Sequence, residues 1–267
     1  MAEAGAASKP GPVDVLPIPK ETVEKTVNPS NLPEYSGPTG VVEGTVYVTG
    51  DPAPPMMGKN FDKCPAAADF YAKTFREGKE VDGKRPLADA IVAVTGYGPG
   101  YYVAEKSPSK VLEISHCTYG ARTIDLTFGQ SLDVKNAGSA PMFAPDFENQ
   151  VSPAIMVATL GGDPVHLYPK KPGRYRLIDR LGYSYLEADV FVLYQPLHTV
   201  SDITGHFRIE GVPVGKLKVN VDHPAIVGQH SEDIDVKDGV VTHVTLTVPN
   251  VKAATRPPSR DLKPILP

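Results

Sequence analysis

The sequence predicts an all-β protein: two β-sandwiches with one short helix and Pro-rich extended arms. Three observations carry this. Proline is abundant, 28 of 267 residues, about twice its usual share of roughly 5%; each one removes a backbone donor and disfavours a helix interior. Hydrophobic residues make up 41%, enough for a packed core, which excludes a globally disordered chain. Between the two ends, short segments alternate apolar and polar residues with period two and are separated by glycine and proline turns.

In chain order, residues 1–39 form the N-terminal arm. Seven prolines fall before residue 39, and Pro17, Pro19, Pro29 and Pro33 bar helix interiors there; one helical turn fits at 21–25. Composition alone favours a linker at both ends. However, Val13, Val15, Leu16 and Ile18 exceed what a linker needs. Residues 10–36 are therefore expected to lie against folded β-structure, of this chain or a neighbour. Strands are predicted at 42–48, 90–94, 122–128, 131–134, 174–178, 189–194, 205–209, 216–221, 233–236 and 240–248. Lys237-Asp238-Gly239 turns the last two into a hairpin. The one helix is predicted to start at Pro65 and to run over 66–77, with Tyr71 and Phe75 on one face. The tail, residues 251–267, is again rich in proline.

Net charge is −4, which argues against nucleic-acid binding. No apolar run is long enough to span a membrane; 188–194 is short and interrupted by charge. The first residues show no apolar signal segment, which fits a cytoplasmic chain or a mature form with an added Met. Gly96, Gly98 and Gly100 surround Pro99 with no helix after them, so they make a turn rather than a phosphate loop. Asp233, Asp235 and Asp238 resemble a calcium loop without its closing glutamate. Ser184 lacks the second glycine of a nucleophile elbow. Asp202 and His206 read as turn chemistry. The histidines at 116, 166, 198, 206, 223, 230 and 243 show no short ligand spacing. His116 and Cys117, if on a strand, point to opposite faces. Met56 and Met57 read as loop packing. The two cysteines, Cys64 and Cys117, allow one disulfide or two thiols; no zinc spacing exists.

Two stretches together resemble a carboxypeptidase regulatory-like (transthyretin-like) β-sandwich. One is 40–48 with 86–94. The other is 199–217, whose pattern is Ser201-Asp202-x-x-Gly205-x-Phe207-x-Ile209, then Val212-Pro213-x-Gly215. Asp202 and Gly205 would make a tight turn with Phe207 and Ile209 pointing inward. The stretch between, at 123–136 and 171–177, looks like a cupredoxin. The resemblance implies a regulatory-like sandwich from 40–105 plus 196–250 and a cupredoxin-like sandwich over 106–195. It also implies that the copper ligands are missing. Met142 stands about where the first histidine belongs, and Asp179, Gly182 and Tyr185 stand near the remaining ligand positions. No cysteine follows Cys117, and a blue-copper site needs a thiolate. In such paired-module proteins Cys64 and Cys117 fit the places of a disulfide, which implies an oxidising compartment.

The resulting expectation is a non-enzymatic exported protein, periplasmic or extracellular, without catalytic residues or cofactor. It acts by protein interaction as an envelope assembly or scaffold component, with its arms available to a partner or a second copy. One alternative is a copper- or other metal-binding protein using Met142 with His116 or His166. Another is a carbohydrate-binding module with Tyr97, Tyr101 and Tyr102 as stacking platforms. No nucleophile–base pair or metal triad can be written, which places an enzyme last.

Overall fold

A computed structural model describes residues 17–250, apart from 63, 139, 149 and 151–154. The chain is all-β: seventeen strands stand beside two α-helices of eight and four residues among the described residues. At the centre of the first sheet lies Thr39–Gly50. It pairs antiparallel with His206–Pro213, parallel with Val241–Asn250 and, at its end, with Arg85–Pro86. The parallel neighbour comes so close that a Cβ on Gly44 would sit 1.9 Å from the Val244 carbonyl oxygen. Only glycine fits there. A second, antiparallel sheet runs in the order His198–Val200, Ile91–Thr95, Gly215–His223, Ile226–Val236. Alternate side chains from both sheets, among them Val42, Val46, Val48, Phe207, Leu217 and Val219, make one buried cluster. Each fully buried side chain of this kind contributes roughly 1.5–3 kcal/mol before ordering costs.

The other sheets are built from residues 109–193. In one, Ser131–Asn136 lies between Val165–Leu167 and the parallel Ser109–Ile114. The other has the order Thr123–Thr127, Glu187–Leu193, Gly173–Asp179, Pro145–Phe147. Met142–Phe143 and Ala158–Thr159 form a small two-stranded sheet. Their apolar faces make a separate buried cluster with Ile114, Leu126, Leu132, Phe147, Leu177 and Val190. Glu187–Leu193 is buried along its whole length because both its faces are covered. Ala188, Val190 and Val192 enter this cluster. Phe191 and Leu193 instead meet Ile91 and Val200 of the first sandwich. That contact is the apolar part of a seam between the two cores.

The helix expected over 66–77 is much shorter. A 3-10 turn at Pro65–Ala67 leads into Ala68–Tyr71, and the helix stops there. Tyr71 is buried in one core and Phe75 in the other, so the chain crosses between sandwiches at 72–75. It is held there by main-chain bonds from Met56 N–H to Ala72 and from Thr74 N–H to Pro54. The i, i+4 spacing of the two aromatics marks two destinations rather than one helical face.

In the N-terminal arm the single turn expected at 21–25 is an eight-residue helix, Lys20–Val27. Ile18, Val23 and Val27 pack on the 109–193 core. Beyond the helix, Tyr35 N–H donates to the Tyr102 carbonyl and Tyr102 N–H to that of Pro33. From residue 17 onward the arm thus lies on β-structure of its own chain. Val13, Val15, Leu16 and the 251–267 tail lie outside the described residues.

Candidate functional site

The residues singled out from sequence take the following places in the structure. His116 and Cys117 are not on a strand. They are the central pair of a tight turn, at φ 48° and 58°, closed by main-chain bonds between Ser115 and Thr118. Cys117 is disulfide-bonded to Cys64, with Cα atoms 6.3 Å apart. His166 Nδ1 is 2.7 Å from Asp133 Oδ1 on the neighbouring strand. Met142 sits exposed in the two-stranded sheet. Among the described residues, no three His, Cys, Asp or Glu side chains converge as a metal site would require. Asp202 forms the expected turn, accepting from the N–H groups of Thr204 and His206. Tyr97 and Tyr101 stack at 6.3 Å, and Tyr35 from the arm leans on Tyr101 at 4.4 Å. The tyrosines therefore pack on one another and on the arm instead of forming an open row.

Of the four positions where the resemblance places copper ligands, Met142 and Gly182 are exposed and Tyr185 is buried. Asp179 accepts three main-chain N–H groups, from Ala144 at 2.7 Å, Leu181 at 2.8 Å and Tyr183 at 3.2 Å. Its carboxylate thereby fixes the loop that follows Gly173–Asp179. Tyr183 lies against Phe143, and Tyr185 lies between Phe61 and Tyr71 at centroid distances of 5.2 and 5.9 Å. Burial pushes the Tyr185 hydroxyl up to about 12, so it stays neutral.

Polar groups gather instead along the seam. His198 Nδ1 is 2.8 Å from Asp125 Oδ2 and its Nε2 is 3.1 Å from Thr127 Oγ1. An Asp–His–hydroxyl line of this kind has the connectivity of a hydrolytic triad. Here all three side chains are buried. The Thr127 hydroxyl donates to Glu105 at 2.6 Å, and Asp125 is also paired with Lys110. Burial alone would raise Asp125, but the His198 and Lys110 charges and hydrogen bonds outweigh it and hold the carboxyl well below its usual range. The line links Thr123–Thr127 to His198–Val200 of the first sandwich.

Further along the seam is a cavity of about 200 Å³. Phe75, Met56 and Pro224 are among its apolar lining residues, and Asp89, Asp189 and Glu187 among its charged ones. Arg76 holds Asp89 with two bonds of 2.7 and 2.6 Å. Arg174 holds Asp189 at 3.0 and 2.8 Å. Lys59 and Arg176 hold Glu187. Arg122 donates to the main-chain oxygens of Lys73 and Thr74. His223 enters from the end of Gly215–His223, where a register irregularity at Val221/His223 ends the regular ladder. Its Nδ1 accepts the Ala225 N–H at 3.1 Å, and Phe75 meets its ring edge-on at 5.7 Å. Burial, with Asp89 opposing and Arg122 assisting, pushes His223 down to about 4; the ring is neutral at physiological pH. Sequence reading missed His223 as a site residue. The alternation Leu217, Val219, Val221 was the available signal, since it carries inward to position 223.

No family model and no curated protein matches the sequence. Two solved structures are similar to parts of the chain. One is the reduced state of a mutant amicyanin, at 14% identity over 38% of this chain and 98% of that one, with TM-score 0.28. The other is a chain in the cryo-EM structure of a heme-copper terminal oxidase dimer. There identity is 13% over 34% of this chain and 76% of that one, with TM-score 0.24. These neighbours are cupredoxin-like, and at these scores they carry no argument about the site.

Proposed function

We propose that the chain is a non-enzymatic exported protein, periplasmic or extracellular, that acts by binding other proteins as an assembly or scaffold component of the cell envelope. In this reading a carboxypeptidase regulatory-like sandwich is joined to a cupredoxin-like sandwich that has given up its metal. The observation that carries it is Asp179: where a cupredoxin would place metal chemistry, its carboxylate accepts three main-chain N–H groups. The Cys64–Cys117 bond supports an oxidising compartment. The burial of the Asp125–His198–Thr127 line supports a role without turnover. Copper loading tests the reading. Protein incubated with Cu(II) or Cu(I), dialysed and analysed for metal should retain far less than one copper per chain and show no thiolate-to-copper absorption. One tightly held copper per chain would overturn the reading in favour of the metal-binding alternative. Crosslinking in intact cells should join the chain to envelope proteins, and its recovery as an uncrosslinked species throughout would count against the scaffold role.

A further inference from the structure

Val241–Asn250 ends its sheet on one side and, among the described residues, pairs with Thr39–Gly50 alone. The Val240 carbonyl accepts the Val41 N–H at 3.0 Å and the Asn250 carbonyl the Asp51 N–H at 3.0 Å, and it is the Val244 carbonyl that crowds Gly44. The even-numbered residues therefore turn their main-chain groups toward Thr39–Gly50. By alternation Val241, His243, Thr245 and Thr247 turn theirs to the open edge. No main-chain bond from another described residue reaches that edge; Val241, His243 and Thr245 are exposed and Thr247 is half-buried. Inward-pointing Val244, Leu246 and Val248 belong to the buried cluster and hold the strand in place. An open edge is a template for another strand, and sheets ordinarily blunt it with charge, proline or shortness. The other long edges among the described residues follow that rule. Arg208 and Glu210 stand on His206–Pro213, Glu232, Asp233 and Asp235 on Ile226–Val236, and Lys110 and Glu113 on Ser109–Ile114. Val241–Asn250 instead runs for 10 residues without Lys, Arg, Asp or Glu, and its proline, Pro249, comes only at the end.

We propose that this edge pairs antiparallel with the same strand of a second copy of the chain, about a two-fold axis, so that two sheets become one. With the axis at Val244, Val241 stands opposite Thr247 and His243 opposite Thr245. Each of these pairs exchanges both its main-chain bonds. Pro249, which has no N–H to give, lies beyond them. Charge selects the partner. An uncharged, β-branched edge meets its own copy without like charges in opposition, whereas Glu232, Asp233 and Asp235 would gather against themselves. The contact is self-complementary, so it closes as a dimer and leaves no further edge of this kind open. The pairing rests on the reading of the chain as a protein-binding one and names a second copy as the partner. The two fail separately: bound copper would leave the edge as it is, and a monomeric chain would leave copper retention as it is.

The test is sedimentation of the oxidised full chain from about 1 μM to about 1 mM, with amide hydrogen exchange at both ends of that range. A reversible monomer–dimer equilibrium is expected. In the dimer the amides of His243, Thr245 and Thr247 should exchange roughly tenfold more slowly or better, while those of Val244 and Leu246 are protected throughout. Thr245→Pro removes an outward N–H and none that serves Thr39–Gly50, and it should weaken the dimer roughly tenfold or more. Thr245→Lys, which changes only a solvent-facing side chain, carries the same expectation should the proline variant fail to fold. A chain that stays monomeric at the highest concentration would overturn the proposal. So would a dimer that leaves the three amides unprotected, or one that a folded Thr245→Pro or Thr245→Lys forms with undiminished affinity. Protection of the three amides in the monomer would assign the edge to another part of the same chain and overturn it as well.

Discussion

Arg174 and Pro224 meet across the seam. The guanidinium Nη2 donates to the Pro224 carbonyl oxygen at 3.0 Å while the same group holds Asp189. One side chain of the second sandwich thus fastens a main-chain carbonyl of the first and a buried carboxylate of its own sheet. Its side chain is 9% exposed, so water cannot substitute for it. Arg174→Met is therefore expected to destabilise by about 3–5 kcal/mol, because it strips a charge partner from a buried acid. Urea unfolding at neutral pH measures this. A loss within about 0.5 kcal/mol, as for an exposed pair, would show that the link is not under strain of desolvation.

The docked arm makes a steric prediction. Gly129 has φ +106°, and a Cβ there would come within 2.7 Å of Val23 Cγ1. Gly129→Ala should cost about 1–3 kcal/mol from backbone and contact together. Val23→Ala should relieve the contact part, so the double variant should lose less than the sum of the two single variants. Strict additivity in such a cycle would mean that helix and turn are not in contact in solution.

The disulfide and its turn make a second pair. The bond spans a separation of 53 residues, so replacing both cysteines by alanine should cost about 4 kcal/mol in the chain-entropy picture. His116 at φ 48° sits where glycine is at ease. His116→Gly should leave stability unchanged or raise it by about 0.5–1 kcal/mol. A marked loss of stability, or loss of a bound metal, would restore a ligand role for His116. Thermal and urea unfolding of the three proteins decide it.

Legibility of the fold varied with the range of the forces involved. Period-two alternation disclosed Val42, Val46 and Val48 as one buried face, and Asp202 with Gly205 as a turn, because both are local. Tyr71 and Phe75 misled, since their spacing suits a helix although each belongs to a different core. His116 and Cys117 gave no turn signal: positions of this kind usually carry Asn and Gly. The seam was invisible because its partners are remote in sequence, 73 residues apart for Asp125 and His198 and 50 for Arg174 and Pro224. The cavity could not be read from sequence for the same reason, although strand alternation pointed His223 inward.

His223 gives the pH dependence a sign. Its folded value of about 4 lies below the ordinary 6.5. The unfolded chain therefore binds the proton first, and stability present above about pH 6.5 is lost as pH falls toward 4. The full shift corresponds to about 3 kcal/mol. Asp89, Arg122 and Asp189 face the ring; Asp222 beside it is raised by burial, which acts in the opposite sense at lower pH. His223→Gln should flatten the stability profile between about pH 7 and about pH 4.5. An unchanged slope in that window would assign the dependence to other groups.

The central claim is that a continuous seam makes the two sandwiches one body around the cavity. The seam comprises Ile91 against Phe191 and Leu193, the Asp125–His198 clamp and the Arg174 bond to Pro224. Differential scanning calorimetry of the oxidised chain tests this most directly. The expected result is one transition whose calorimetric and van't Hoff enthalpies agree. Two resolved transitions, one for each sandwich, would contradict it.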